Sequence, residues 1–245
     1  MSSIQQTTNK LRELRLSSMA EAYVQQSRQP KIHEIGFDDR LGLLVEHEVS
    51  ARESKALTRL IKSANFPETA SLEDIDYRAA RGLDKAFMAS LASCEWIRQQ
   101  LNLIIIGATG VGKTWLACAF GNQACRMKMS VAFYRVSHLC EKIAMATLDG
   151  SLPKLKTELI KPKLLVLDDF GIGEISVQVS HVLLDIIDRR MRDGSILMTS
   201  QYPVEQWHSI FPDPTIADAI LDRVVHQAHQ LTLKGESMRK IRARS

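Results

Sequence analysis

The sequence predicts an α/β fold in which a parallel sheet is covered by helices on both faces and follows a smaller all-helical region. Two observations carry this prediction. From Leu101 onward, short apolar runs alternate with segments of helical periodicity, and these runs are apolar at consecutive positions, which is typical of strands buried on both faces. From about Ser3 to Pro67, by contrast, apolar residues recur at helical spacing.

The N-terminal region is expected to form helices and then a linker. Its first helical pattern is closed by Pro30, and a second pattern over residues 37–64 forms either one long helix or two. The stretch Ala64–Tyr77 is rich in turn-forming residues, so we expect a linker there. This organisation predicts a helical domain of residues 1–75, for adaptor or assembly contacts, and a second domain of residues 76–245.

The second domain is expected to alternate strands and helices along most of its length. Asp213 followed by Pro214 is a typical helix start, with the aspartate as the cap and the proline in the first turn. The predicted strands are Leu103–Ile106, Val131–Val136, Leu164–Leu167, Ser195–Thr199 and Gln230–Leu233. The predicted helices are Leu83–Gln99, Trp115–Met127, Leu139–Leu148, Val177–Arg192 and Pro214–Gln227.

The composition excludes several classes of protein. The chain has 245 residues, of which 45% are apolar and 24% charged, so it is not a fully disordered chain. No window of 18 uninterrupted apolar residues predicts a membrane-spanning helix, and the N-terminus lacks the basic-then-apolar order of a secretory signal. The cysteines show no metal-ligand spacing and predict buried thiols in a reducing cytoplasm. They are Cys94, Cys118, Cys125 and Cys140.

The strongest signal is a glycine-rich loop that fits the pattern G-x-x-x-x-G-K-[ST] at every fixed position and lies between a predicted strand and a predicted helix. Its glycines let the backbone N–H groups wrap a phosphate, and the helix N-terminus adds a partial positive charge. Lys113 is expected to reach the β- and γ-phosphates of ATP, and the Thr114 hydroxyl to bind Mg²⁺. The predicted loop residues are Gly107, Ala108, Thr109, Gly110, Val111, Gly112, Lys113 and Thr114.

Two carboxylates follow the predicted strand Leu164–Leu167, at the end that faces the phosphate site in such a sheet. Asp168 is expected to be the Mg²⁺ partner, through water. Asp169 is expected to orient and polarise the water that attacks ATP. Because a metal-bound carboxylate loses basicity, the presence of two acids predicts hydrolysis rather than nucleotide binding alone.

Three further polar residues are candidates for the site. Ser200 or Gln201, at the tip of the fourth strand, is placed to sense the γ-phosphate, with ordinary strand-end polarity as the alternative. Arg223 lies among apolar residues of a predicted helix. It is either a solvated helix arginine or an arginine presented to the γ-phosphate of a neighbouring subunit.

A family resemblance follows from the motifs GATGVGKT, LLVLDDFG, TSQ, AILDRVVHQAHQL and LKGESMRK, in that order and spacing. Together they resemble the IstB-like family, the helper ATPases encoded beside the transposase in certain bacterial insertion sequences. That family is similar to helicase loaders of the DnaC type and to the initiator ATPase DnaA. The resemblance spans nearly the whole chain, and LDDFG combined with GESMRK is more specific than the phosphate loop.

The resemblance implies a P-loop NTPase of the AAA+ type that assembles on DNA as an ATP-dependent homo-oligomer. It implies that a partner transposase is recruited to the DNA target and activated there. Lys113 and Thr114 would hold phosphate and Mg²⁺, while Asp168 and Asp169 would form the metal and water pair. Arg223 matches the arginine finger given to the adjacent subunit, and Arg239 matches a second arginine sensor.

Contact with DNA is expected through the phosphate backbone, since no base-reading motif is visible. Four lysines at positions 154, 156, 161 and 163 cluster in a predicted loop. The formal charge of +4 comes from the C-terminal segment 234–245, which holds five basic residues and one acidic residue. Both segments are candidate DNA contacts. The alternative for the four lysines is an ordinary solvated loop, and the C-terminal segment is also a candidate contact to a neighbouring subunit.

Three other functions are compatible with part of the pattern. A replicative helicase loader would use the same fold with a different partner. A nucleotide-switched interaction protein would bind ATP with little turnover. A small-molecule kinase would require a substrate pocket and an arginine-rich lid, and the sequence shows neither.

Overall fold

The structure is a computed structural model that describes residues 3–77 and 81–238. The chain divides into two compact units, Met1–Arg59 and Leu60–Ser245. Over the described part of the chain, no helix has both the length and the apolar character that a membrane crossing requires.

The first unit is helical, as the apolar spacing predicts. Helices α1 (Ser3–Glu13) and α2 (Ser17–Ser27) are followed by α3, which runs from Phe37 to Ala64 as one continuous helix of 28 residues. Inside this unit the buried carboxylate of Glu48, on α3, accepts the backbone N–H of Met19 at 2.8 Å. That bond satisfies one of the orphan N–H groups at the start of α2.

The second unit is built on a five-stranded parallel sheet, as predicted, with the strand order β2-β3-β4-β1-β5. All the strands point the same way, so the residues that follow β1, β3 and β4 meet at one edge of the sheet. The strands are β1 (Asn102–Gly107), β2 (Val131–Arg135), β3 (Leu164–Phe170), β4 (Ser195–Ser200) and β5 (Ala228–Leu233).

Helices cover both faces of this sheet. Helix α6 packs on one face, and helices α7 to α10 build the large apolar core on the other. Asp213 caps α10, and Pro214 is its first residue, as the sequence predicts. The helices are α4 (Lys85–Ala92), α5 (Glu95–Arg98), α6 (Lys113–Arg126), α7 (Val136–Leu148), α8 (Leu152–Ile160), α9 (Val177–Arg190) and α10 (Pro214–Val225).

Helix α8 corrects the prediction of a loop in the lysine-rich segment. Leu155 and Leu159 recur at helical spacing and are buried in the core, which holds this segment in a helix. Lys154 and Lys156 therefore lie on a helix, and the ammonium of Lys156 pairs with Asp185 at 2.6 Å. In the sequence alone, the closely spaced lysines make the helical spacing of Leu155 and Leu159 difficult to recognise.

The segment after α3 follows the surface of α6. The ring of Phe66 lies so close to Gly121 that a Cβ there would be 2.5 Å from a ring carbon. Asn122 donates to the carbonyl of Ala70 at 2.8 Å, and Arg126 pairs with Glu73 at 2.6 Å. The predicted linker is thus fixed along the C-terminal half of α6, the helix that follows the phosphate loop.

A buried arginine joins the ends of several elements of the second unit. Arg190, at the end of α9, is 1% exposed, and its guanidinium donates to five backbone carbonyl groups at 2.7–3.4 Å. Burial lowers the pKa of Arg190 to about 10, which leaves it charged at neutral pH. The acceptors are the carbonyl groups of Leu159, Ile160, Pro162, Lys163 and Ser195.

Candidate active site

The glycine-rich loop connects β1 to α6 at the carboxyl edge of the sheet. Gly110 and Gly112 have φ angles of +85° and +100°, a region that residues with a Cβ rarely adopt. Helix α6 begins directly after Gly112, and no side chain caps its first N–H groups. These N–H groups and the helix dipole therefore provide the features of an anion-binding site.

Lys113 lies inside this loop. Its side chain is largely buried, and its ammonium donates to the carbonyl groups of Gly107 at 2.9 Å and Ala108 at 3.0 Å. Burial lowers the pKa of Lys113, while the nearby charges of Asp169 and Asp168 act in the opposite direction. The loop thus holds a cation between two carboxylates and its own backbone.

Thr114 and Asp168 form the candidate metal site. The Thr114 hydroxyl lies 3.0 Å from each carboxylate oxygen of Asp168, and Asp168 is completely buried. Burial raises the pKa of this carboxyl group, and a hydrogen bond from Thr199 opposes that shift. A hydroxyl beside a carboxylate is the oxygen donor set that Mg²⁺ prefers, so these residues fit that ion.

A β-bulge arranges the two aspartates. Leu167 is paired with Met198 and Phe170 with Ser200, so two residues of β3 oppose the single residue Thr199 of β4. Asp169 adopts the left-handed conformation, with φ +58°. Successive side chains of a regular strand point to opposite faces, and the bulge breaks that alternation at the acid pair.

Gln201 follows β4 and reaches the phosphate loop. The hydroxyl of Thr109 donates to its side-chain carbonyl at 2.6 Å. Among the residues predicted from sequence, the structure therefore brings together the loop, Asp168, Asp169 and Gln201.

The structure does not bring Arg223 to this group. Its backbone carbonyl accepts a 3.4 Å hydrogen bond from Asn102, the first residue of β1, while the phosphate loop starts at Gly107. Five residues of strand span about 16 Å, so Arg223 lies at the opposite edge of the sheet from the loop that follows β1.

Arg239 lies outside the described residues, as do Lys240, Arg242 and Arg244 of the basic C-terminal segment. The described part of that segment covers the phosphate loop. The N–H of Met238 donates to the carbonyl of Gly110 at 2.9 Å, and a Cβ on Gly110 would collide with Ser237.

Sequence reasoning missed this cover and also missed Arg81. The Arg81 side chain is buried. The backbone carbonyl of Arg81 accepts the N–H of Lys234 at 3.0 Å. A Cβ on Gly112 would lie 3.5 Å from its guanidinium. Arg81 is far from the loop along the chain and belongs to no motif, so only the fold reveals its position.

Comparison with known proteins places these observations in context. The family model described as IstB-like ATP binding protein matches residues 9–245. An insertion sequence ATP-binding protein of Sinorhizobium fredii, y4pL, is 42% identical over 234 residues, which cover 96% of each chain. The ATP-binding protein of insertion sequence IS1162 of Pseudomonas fluorescens is 44% identical over 200 residues, 81% of this chain and 87% of that protein.

Similar solved structures include DnaI and the replication initiator DnaA. The crystal structure of DnaI has a TM-score of 0.59 at 21% identity and matches 72% of this chain and 94% of its own. AMPPCP-bound DnaA from Aquifex aeolicus has a TM-score of 0.58 at 18% identity, over 72% of this chain and 54% of DnaA. At these identities the likeness shows a common fold.

Proposed function

Because the chain belongs to the family of IstB-like ATP-binding proteins and is an ATPase of the AAA+ type, we propose that it is the helper ATPase of a transposition system. In this proposal, ATP drives its assembly into a homo-oligomer on target DNA, the assembly recruits a partner transposase, and hydrolysis controls how long the assembly lasts. The proposal includes a cytoplasmic location, where ATP and target DNA are available.

The observation that carries the proposal is the acid pair beside the phosphate loop. Asp168, buried against Thr114, is the carboxylate that would hold Mg²⁺. Bound there, Mg²⁺ would neutralise charge that develops on the phosphate oxygens. Asp169, which lies at the bulge in the left-handed conformation, remains available as the base that orients and polarises the attacking water.

The other loop residues bind and sense the phosphates in this proposal. The N–H groups that begin α6 and the ammonium of Lys113 hold the phosphate chain of ATP. Gln201, already hydrogen-bonded to Thr109, reports the presence of the γ-phosphate to β4. Arg223 is the finger that one subunit supplies to the ATP of its neighbour, which agrees with its distance from its own loop.

The names of the most similar relatives favour transposition over replication as the process served. The two described above are named insertion sequence ATP-binding proteins, and y4pL matches along nearly the whole chain. The alternative of a helicase loader draws on the likeness to the DnaC helicase loader, which at 17% identity concerns the fold alone. DNA contact through the phosphate backbone requires only Lys, Arg and N–H donors.

The test is steady-state ATP hydrolysis with and without duplex DNA. We expect DNA to raise turnover by wild type, and we expect Asp169→Asn to lose turnover while it binds ATP with near-normal affinity. Arg223→Ala should lose turnover even at concentrations where wild type is assembled, whereas Arg192→Ala, an exposed arginine, should not. DNA affinity should fall steeply with salt.

Two results would contradict the proposal. If duplex DNA changes neither turnover nor assembly, the role in transposition loses its basis. If Arg223→Ala hydrolyses ATP at the wild-type rate when assembled, the arginine is not a finger.

A further inference from the structure

The guanidinium of Arg223 is held in place by two contacts. Its Nε–H donates to the carboxylate of Asp188, on α9, and its Nη1 donates to the carbonyl of Ala219 at 2.7 Å, one turn earlier on α10. The two charged side chains are partly exposed, 35% for Arg223 and 45% for Asp188. The pair therefore lies at the surface of the second unit.

These contacts leave one end of the guanidinium available. The group carries five N–H donors in a planar fork, and among the described residues the Nη2 amine makes no hydrogen bond. The exposed fraction of Arg223 shows that solvent, and therefore a partner molecule, reaches this side chain. Nε and Nη1 anchor the fork, while Nη2 is the atom that can reach outward.

Stability alone is a weak explanation for such a pair. An exposed ion pair contributes little to folding, because water screens the charges and the side chains lose rotamer freedom. The same loss of freedom helps a group that must act on another molecule, since an arginine ordered before contact has less entropy to lose at the contact. Ordering Arg223 for contact with another molecule is therefore a better explanation for the Asp188 carboxylate than stability.

We infer that Asp188 is a positioning residue that orients Arg223 toward the ATP bound by a neighbouring copy of this chain. This inference rests on the proposed role of Arg223 as a finger. It adds that the finger is ordered within each subunit before assembly, and that the order comes from α9. The opposite hypothesis is that Asp188 holds Arg223 back, in which case its removal would raise turnover.

The experiment uses mixed assemblies of two full-length variants. Asp169→Asn binds ATP without turnover and supplies the finger, and Arg223→Ala has intact acids but no finger. Mixed at equal concentration, the two should recover turnover at junctions where one chain serves the other. Asp188→Asn is then added to one variant at a time.

We expect Asp188→Asn to lower the recovered rate about ten- to a hundredfold when it lies in the finger-supplying chain. In the Arg223→Ala chain it should change the rate less than about twofold, because there the aspartate has no finger to orient. Asp185→Asn in the finger-supplying chain is the matched control. Asp185 lies one turn away on α9 and pairs with Lys156 and Arg189 instead.

The outcomes separate this inference from the proposed function. If the unmodified pair recovers turnover and Asp188→Asn has no effect or an equal effect in both chains, Asp188 is not a positioning residue. A rise in rate would support the restraining role and overturn the inference. If the unmodified pair recovers nothing, the finger role of Arg223 fails and the inference fails with it. A urea midpoint close to wild type for Asp188→Asn would show that a lost rate is not lost folding.

Discussion

The hydroxyl of Thr199 donates a 2.7 Å hydrogen bond to the carboxylate of Asp168, and both residues are completely buried. The same hydroxyl oxygen accepts the backbone N–H of Asp169 at 3.0 Å. One side chain on β4 therefore contacts both members of the acid pair on β3. Its hydroxyl is a donor to one aspartate and an acceptor from the other.

Replacing Thr199 by valine should separate these roles from side-chain shape, because valine keeps the branched form without the hydroxyl. We expect Thr199→Val to lower kcat about ten- to a hundredfold. It should lower the free energy of unfolding by about 1–3 kcal/mol, since a buried carboxylate loses a donor. Affinity for a fluorescent ATP analogue without Mg²⁺ should stay within about threefold, because the Thr199 hydroxyl is hydrogen-bonded to the acid pair and not to the loop. Thr199→Ser keeps the hydroxyl and should retain most of the turnover, and equal losses in the two variants would refute this explanation.

Gly110→Ala tests the cover formed by residues 234–238. The new methyl would collide with Ser237, so we expect ATP affinity to fall at least about tenfold as the cover and the loop shift. Gly150→Ala is the matched control, because Gly150 has a similar φ of +78° and no atom within 4 Å of the added carbon. Both should lose about 1–2 kcal/mol of stability from backbone strain. Isothermal titration with ATP would show whether affinity falls in Gly110→Ala alone.

We expect Arg190→Met to be among the most destabilising single substitutions at buried positions of the second unit. It leaves five carbonyl groups without their cation, and we expect the free energy of unfolding to fall by about 3–5 kcal/mol. Arg189→Met, next in the chain and 60% exposed, should change it by less than about 1 kcal/mol. Urea unfolding followed by circular dichroism provides the comparison. Similar losses in the two variants would show that the carbonyl cluster does not depend on the guanidinium.

The buried cysteines predict a decline in stability at alkaline pH. Burial raises the pKa of Cys118 from its ordinary value of 9.0 to about 12, and that of Cys125 to about 11. Well below pH 9 the thiols are protonated in both the folded and the unfolded chain, so they add no slope. Above pH 9 the unfolded chain releases protons that the folded chain keeps, so the free energy of unfolding falls as pH rises.

Cys118→Ala isolates that contribution from other groups that titrate in the same range. The decline in urea midpoint between pH 8 and pH 10.5 should be shallower in Cys118→Ala than in wild type. Iodoacetamide at pH 8 should leave Cys118 unmodified in the folded protein and alkylate it in urea. Rapid alkylation of Cys118 without denaturant would contradict its burial.

The sequence predicted those parts of the fold and site that depend on local spacing. The phosphate loop and the two aspartates each occupy a few consecutive positions next to a strand, and the sheet brings them together as expected. Helix α8 was missed because its lysines interrupt the apolar pattern that Leu155 and Leu159 form. The bulge at Asp169 was missed because it depends on the pairing with β4, where one residue opposes two of β3, and the sequence of β3 alone does not show that pairing. Arg81 and Arg190 are positioned by hydrogen bonds with backbone groups that are distant in the sequence, so no local pattern predicts them.

The bulge at the acid pair also determines the face of the sheet on which the next residue, Phe170, lies. Because the bulge takes up one extra residue of β3, Phe170 lies on the same face as Leu165 and Leu167. On that face it packs on Trp207, with ring centroids 4.7 Å apart. Deleting one aspartate would remove the bulge and leave a regular strand, in which Phe170 lies two positions after Leu167 and so keeps the same face and the aromatic cluster. The extra residue in β3 is therefore needed by the arrangement of the two acids and not by the packing of Phe170. A copy that lost one of the two aspartates by deletion would thus keep the contact between Phe170 and Trp207 while it lost the paired acids beside the phosphate loop.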